Sequence, residues 1–326
     1  MEDRFGRKID YLRVSLTDRC NLRCLYCMPA EGIKVKPRDE ILRFEEILRV
    51  ARVALQLGIS KFRLTGGEPL IRRGILSFIR ALALLPGVAD LSLTTNGVLL
   101  SQMNERLWEA GIRRLNISLD TLNAKNYREL TRGGDFRLVW EGVTGALKTG
   151  FDPVKLNVVA LKDFNDREWT DFARLTYTYP VHVRFIEIMP VGGSWELAGS
   201  HFASCAQVKA ELEKFFGTLV PAKGITGSGP ARYFQLPGAL GSVGFIDAVS
   251  NHFCARCNRL RLTADGKLRP CLHDRREIDL REAVRAGASD AELKELFRTA
   301  LLLKPVNYHE ATGAPAEGRG MCQIGG

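Results

Sequence analysis

Between residues 11 and 190 the sequence alternates between two textures, and this alternation constrains the fold more than any single motif. Short apolar or β-branched runs at 11–16, 61–64, 89–94, 114–119, 154–161 and 181–188 read as strands. The intervening stretches 44–57, 74–85, 104–110, 136–148 and 167–178 carry helical periodicity. Strands separated by helices pair in parallel, so the pattern predicts a parallel α/β fold. A partial barrel of six β/α units and a doubly wound sheet both satisfy it. After Pro190 the texture changes. Residues 191–193 and the glycine-rich 224–229 read as linker or loop, 200–217 as a helix, and 231–236, 242–247 and 259–263 as short strands. Residues 276–303 read as helical, and 311–326, with five Gly and little periodicity, is by composition alone a frayed tail. The expected division is 1–195 and 196–326.

Chemistry-bearing residues collect where the strands end. The first strand runs into Cys20, Cys24 and Cys27, the second into Thr65-Gly66-Gly67-Glu68-Pro69, and the third into Thr95-Asn96-Gly97. The fourth ends at Ser118-Leu119-Asp120 and the sixth at Glu187-Ile188-Met189-Pro190. In parallel α/β folds the carboxyl ends of the strands share one face, so these turns converge. The cysteines are spaced C-x3-C-x2-C. A cubane iron–sulfur cluster normally takes one thiolate per iron, so three cysteines leave one iron for another ligand. Structural zinc would require four protein ligands, and no other Cys or His lies within 100 residues of this triad.

A second triad, Cys254, Cys257 and Cys271, is more ambiguous: His252 or His273 would complete a tetrahedral zinc site, and spacing alone does not choose between zinc and iron. The formal charge of +10 suits nucleic acid, an anionic membrane surface or a polyphosphorylated small molecule, but the basic residues are dispersed and decide nothing. No run approaches the roughly 20 apolar residues of a membrane span, and the opening MEDRFGRKIDY lacks a signal's apolar stretch. The expectation is a soluble cytoplasmic protein.

The cysteine spacing, with Tyr26 before the last cysteine, and Gly66-Gly67-Glu68-Pro69 resemble the radical S-adenosylmethionine superfamily. The order of DRFGRKIDYLRVSLTDRCNLRCLYCMP, RLTGGEPLIRR, LTTNG, NISLD, KLNVV, RFIEIMP, GPARYF, FCARCNRLRLT and the closing IGG is similar, over nearly the whole length, to the GTP 3′,8-cyclase family of molybdenum cofactor biosynthesis. The resemblance implies an incomplete (β/α)6 TIM-like barrel capped by a C-terminal α+β domain. It implies two [4Fe-4S] clusters, one held by Cys20, Cys24 and Cys27 and open to S-adenosylmethionine, the other held by Cys254, Cys257 and Cys271 and open to substrate. Tyr26, Gly67, Ser118 and Met189 would contact S-adenosylmethionine, with the acidic side chain of the Gly-Gly-Glu-Pro loop meeting its amino group. Arg13, Lys61, Arg63, Thr94, Lys155, Arg184, Arg259 and Arg261 would contact the nucleotide or its phosphates.

The implied reaction takes the C3′ hydrogen of GTP with a 5′-deoxyadenosyl radical and joins C3′ to C8, so no side chain carries the chemistry itself. The family further implies a homodimer, a downstream cyclic pyranopterin monophosphate synthase, and neither nucleic acid nor membrane as partner. Gly325-Gly326 would enter the active site near Arg13 and the triphosphate, since only glycines are slim enough. Cys205 and Cys322 match no cluster ligand; Cys205 reads as a helix residue and Cys322 as an oxidation-prone thiol near a mobile end. The alternatives are another radical enzyme with an auxiliary cluster, such as a peptide maturase, and a zinc-containing nucleic-acid-binding protein.

Overall fold

The computed structural model describes every residue except 192, 193, 226, 228, 312–318 and 326. The linker expectation at 191–193, the loop expectation at 224–229 and the Gly325-Gly326 expectation thus fall partly outside the described residues. Six strands, β1 (Tyr11–Ser15), β2 (Lys61–Thr65), β3 (Asp90–Thr95), β4 (Arg114–Ser118), β5 (Val154–Ala160) and β6 (Val181–Glu187), pair in chain order and in parallel. A doubly wound sheet reverses its strand order at a switch point; this one does not, so that alternative is excluded. Between the strands run α1 (Phe44–Gln56), α2 (Ile75–Ala83), α3 (Asn104–Ala110), α4 (Ala124–Thr131), α5 (Phe136–Thr149) and α6 (Trp169–Thr178).

The C-terminal half continues the same sheet at both edges. After α7 (Trp195–Ser200) and α8 (Cys205–Phe216) come β7 (Val220–Pro221), β8 (Arg232–Gln235) and β9 (Ser242–Ile246), and β9 pairs in parallel with β6. β10 (Arg259–Leu262) pairs in parallel with β1, and β11 (Lys267–Arg269) and β12 (Ile278–Asp279) follow outside it. The result is one 12-stranded sheet ordered 12-11-10-1-2-3-4-5-6-9-8-7. Residues 276–303 are not one helix. α9 (Leu280–Arg285) ends before α10 (Asp290–Leu302), whose Ser289 and Glu292 cap each other's backbone in a reciprocal box.

Alternate strand residues point to opposite faces. On one face Leu12, Val14, Phe62, Leu64, Leu115, Ile117, Leu156, Val158, Val183 and Phe185 are buried in a core shared with helix residues such as Ile47, Phe78, Val143 and Phe172. The other parity is polar: Arg13, Arg63, Thr94, Asn116, Ser118, Asn157 and Arg184. Residues of eight strands, from Arg13 on β1 to Ile246 on β9 and Arg259 on β10, line one cavity. Laid flat, seven inter-strand spacings of about 4.8 Å would separate the outermost of these strands by about 34 Å, so the sheet bends around that cavity. No helix of the described residues is long and apolar enough to cross a membrane.

Candidate active site

The bend encloses a cavity of about 260 Å³ into which Arg13, Arg63, Arg184, Arg259 and Arg261 converge. Register explains the convergence, because Arg13 lies opposite Arg63 on one side and Arg261 on the other. Burial and then the Arg261 charge pull Arg13 well below its ordinary value, and burial with Arg259 brings Arg261 down to about 10. Arg184 donates to Asn116 (2.7 Å) and to Asn157, yet among the described residues its buried Nε has no hydrogen-bond partner, nor has Thr94 Oγ1. Buried donors left unpaired among clustered cations are what a polyanion would satisfy. The cavity's two carboxylates are already engaged: Asp120 accepts from Tyr26 and Val159 (both 2.7 Å), and Glu187 from Cys205, Val249 and Ser250. Burial pushes Asp120 up to about 6.

The loop after β1 carries the first cysteine triad and is fastened from two directions. The backbone N–H groups of Arg23 and Leu25 donate to Thr131 (3.1 Å) and Leu130 (2.9 Å) at the end of α4, and Arg132 donates to the carbonyls of Arg23 (2.9 Å) and Met28 (2.8 Å). On the other side Gly67 N donates to Thr17 O (2.7 Å) and Glu68 N to Arg19 O (2.8 Å). This approach is what the glycine serves in the fold: a Cβ on Gly67 would lie 2.2 Å from Arg19 O. Glu68 faces inward. Fully buried and pushed up to about 7 by that burial, it accepts from Leu70, Thr95 and Asn96. Cys20 Sγ accepts from Leu22 N (3.4 Å) and Asn96 Nδ2 (3.7 Å), and burial pushes the Cys20 and Cys24 thiols up.

The second triad opens on the cavity itself. Arg7, paired with Asp3 at 2.6 Å, donates to Cys254 O (2.9 Å), Pro305 O (2.7 Å) and Val306 O (3.0 Å). Burial raises the Cys257 thiol, but Lys304, Arg259 and Arg261 outweigh it and bring the group to about 6. Zinc thiolates at 2.3 Å from the ion stand about 3.8 Å apart. Among the described residues only Glu187, Cys205 and Asp247 bring three possible ligand atoms within 4.8 Å of one another. Neither cysteine triad does so, even with His252 or His273, whose rings instead pack on Tyr308 (5.3 and 5.0 Å). The donor set of each triad, three thiolates, suits a cubane, whose thiolates bind separate irons and which would leave one iron open.

The described part of the tail is folded, not frayed as its composition alone allowed. Arg319 holds Asp265 through both nitrogens (3.0 Å each) and Glu277 (2.8 Å). Ile324 is buried, and Gly325 O accepts from Arg261 (2.8 Å) beside Ser15 and Thr65 at the ends of β1 and β2. Cys322 is buried near Cys27, so it is not a thiol open to oxidant at a mobile end.

Residues 14–176 match the Radical SAM superfamily and residues 181–310 match the family described as Molybdenum Cofactor Synthesis C. Curated relatives span the whole chain and are themselves wholly covered. They include the GTP 3′,8-cyclases of Pelotomaculum thermopropionicum and Moorella thermoacetica, each 51% identical, and of Desulforamulus reducens, 49% identical. This chain belongs to the GTP 3′,8-cyclase family. Membership carries the radical S-adenosylmethionine fold, with a [4Fe-4S] cluster and S-adenosylmethionine. Solved structures agree on the fold: Streptococcus suis SuiB bound to S-adenosylmethionine has a TM-score of 0.62 at 14% identity, covering 90% of this chain and 68% of that one. Methylornithine synthase has a TM-score of 0.54 at 17% identity, covering 90% and 87%.

Of the residues expected at the site, Arg13, Tyr26, Arg63, Thr94, Ser118, Arg184, Met189, Arg259, Arg261, Cys254, Cys257 and Cys271 line the cavity. Lys61 does not; it pairs with Asp10 at 2.8 Å. Lys155 has the same inward parity as Asn157 but is buried short of the cavity lining, held down at about 6 by burial and then by Arg184, Arg114 and Arg63. Gly67 and the first triad lie outside the lining set. Asp120, in one of the strand-end turns singled out above, also lines the cavity, and Asn157 and Lys304 were missed. The inward parity of β5 would have found Asn157, whereas nothing local signals Lys304.

Proposed function

We propose that this chain converts GTP into (8S)-3′,8-cyclo-7,8-dihydroguanosine 5′-triphosphate in the first step of molybdenum cofactor biosynthesis. The observation that carries the reading is five arginines converging, with three cysteines, on one cavity. In this reading Cys20, Cys24 and Cys27 hold one [4Fe-4S] cluster and Cys254, Cys257 and Cys271 a second. With S-adenosylmethionine, the first cluster supplies one-electron cleavage of a carbon–sulfur bond and a radical able to take a hydrogen atom from substrate.

The chain's own part is binding, orientation and exclusion of water. A triphosphate carries nearly four negative charges, and arginine meets phosphate oxygens with a planar fork. Arg13, Arg63, Arg184, Arg259 and Arg261 hold it, with Thr94 donating its hydroxyl. Lys155, on the inward parity of β5, takes up a proton when the polyanion arrives and meets it, and Lys61 exchanges Asp10 for the nucleotide. Tyr26, Ser118 and Met189 face S-adenosylmethionine, and Gly67 lets the loop beneath it close. The units 1–195 and 196–326 work as one, since each supplies part of the wall. A homodimer is the working unit, and a cyclic pyranopterin monophosphate synthase takes the product.

The test is anaerobic incubation of reconstituted protein with GTP, S-adenosylmethionine and dithionite. One 5′-deoxyadenosine should appear per GTP lost, from protein carrying about eight irons per chain. GTP left intact under these conditions rejects the reading.

A further inference from the structure

Lys304 lies just beyond α10 and is 2% exposed. Its Nζ donates to Arg259 O (2.7 Å) and Pro270 O (2.7 Å) and lies 3.6 Å from Cys257 Sγ. An ammonium has three protons to place, and three acceptors take them here. The acceptors belong to two segments the cavity needs side by side: the strand entered from Cys257, and the turn that ends in Cys271. Among the described residues Lys304 pairs with no carboxylate, so its buried charge has only neutral carbonyls and a sulfur for company. A buried cation without a counter-charge is unfavourable, and negative charge on the sulfur side would offset that.

We infer that Lys304 is a positioning residue for the second cluster: it ties the Cys257 segment to the Cys271 turn and sets a fixed positive charge beside the Cys257 sulfur. The inference rests on reading Cys254, Cys257 and Cys271 as ligands of a cluster. A positive charge at that distance favours the more negative, reduced state, so Lys304 raises the potential of the second cluster and leaves the first alone.

The experiment compares anaerobically reconstituted wild type, Lys304→Arg, Lys304→Met and Lys304→Gln by iron content and by potentiometric titration of both clusters followed by electron paramagnetic resonance. Wild type should carry about eight irons. Lys304→Gln, which keeps an N–H donor and loses the charge, should retain the iron and shift the second midpoint to more negative potential. Lys304→Met should show the same shift or lose the second cluster's iron, and Lys304→Arg should restore wild-type behaviour. Unchanged midpoints with full iron in Lys304→Gln overturn the inference, as does an equal shift of both clusters. Wild type with only about four irons overturns the second-cluster reading instead.

Discussion

Placing a methyl group on Gly67 tests how the first cysteine loop is held. The ideal Cβ would lie 2.2 Å from Arg19 O, 2.6 Å from Arg19 C and 3.1 Å from Asp18 O, all of them backbone. Gly67 does not have the left-handed backbone that disfavours alanine, so space is the only obstacle. Restoring an ordinary carbon–oxygen contact requires the two loops to part by about 1 Å, which carries the Gly67 N–Thr17 O (2.7 Å) and Glu68 N–Arg19 O (2.8 Å) bonds past hydrogen-bonding range. Two such bonds are worth about 2 kcal/mol net, or roughly 3 °C in Tm for a chain of this size. The larger consequence is local. Arg19 immediately precedes Cys20, and a site displaced by more than about 0.5 Å is no longer preorganised for its ligand. Gly67→Ala should therefore lose about half its iron on anaerobic reconstitution and keep the second cluster. Gly199→Ala, whose added Cβ meets nothing within 4 Å, is the control and should keep all its iron. Full iron and a Tm within about 1 °C of wild type in Gly67→Ala would refute the packing argument. Weakened S-adenosylmethionine binding in such a protein would show that the residue acts by touching the cofactor.

Arg132 clamps two carbonyls of the same loop; Arg132→Gly, which suits the local φ of 53°, should speed chelator-driven iron loss from the first cluster only, and equal loss from both would contradict this. Arg261→Met removes a charge-assisted contact from the cavity and frees Gly325 O, so KM for GTP should rise about 10- to 100-fold with kcat less affected; an unchanged KM would count against Arg261 as a phosphate ligand. Removing Gly325-Gly326 should abolish cyclisation while about eight irons remain, and full activity in the shortened chain would remove the tail from the site. Burial, then Lys155, holds His182 down at about 4, so the unfolded chain takes up a proton that the fold refuses as pH falls from 6.5 to 4. Stability is lost across that window, and His182→Gln should show a shallower fall in Tm there; parallel curves would show that His182 contributes nothing to it.

The strands were legible because their outward residues must be apolar to meet the helices, and Leu12, Val14, Phe62 and Leu64 announce that face in alternation with Arg13 and Arg63. The cysteine triads were legible because loop ligands come at fixed short spacings. α4 escaped notice because its eight residues bury only Tyr127, Leu130 and Thr131, too few to set a helical period. The break in 276–303 was present as Ser289 followed three residues later by Glu292, a start signal hidden within a uniformly helix-favouring composition. Composition alone left the tail looking frayed because what orders it lies far away: Asp265 for Arg319 and Arg261 for Gly325. Arg7 and Lys304 were out of reach for the same reason, since Arg7 meets its carbonyl partners 247 to 299 residues away and no local pattern encodes such a contact.

This distribution of contacts bears on how the cavity can exist at all. Arg13, Arg63 and Arg184 come from the first six strands, and Arg259 and Arg261 come from β10, so the cationic set is complete only when β10 has paired with β1. That pairing brings like charges together, as the lowering of Arg13 by Arg261, Arg63 and Arg259 records. The fold sustains the repulsion through the apolar outer face of the same strands, where Leu260 and Leu262 join the core beside Leu12 and Val14. A bound polyanion would cancel the repulsion without touching that core. Substrate binding and closure of the sheet's β1–β10 junction are therefore linked, because anything that binds the assembled cavity and not the open chain stabilises the assembly by mass action.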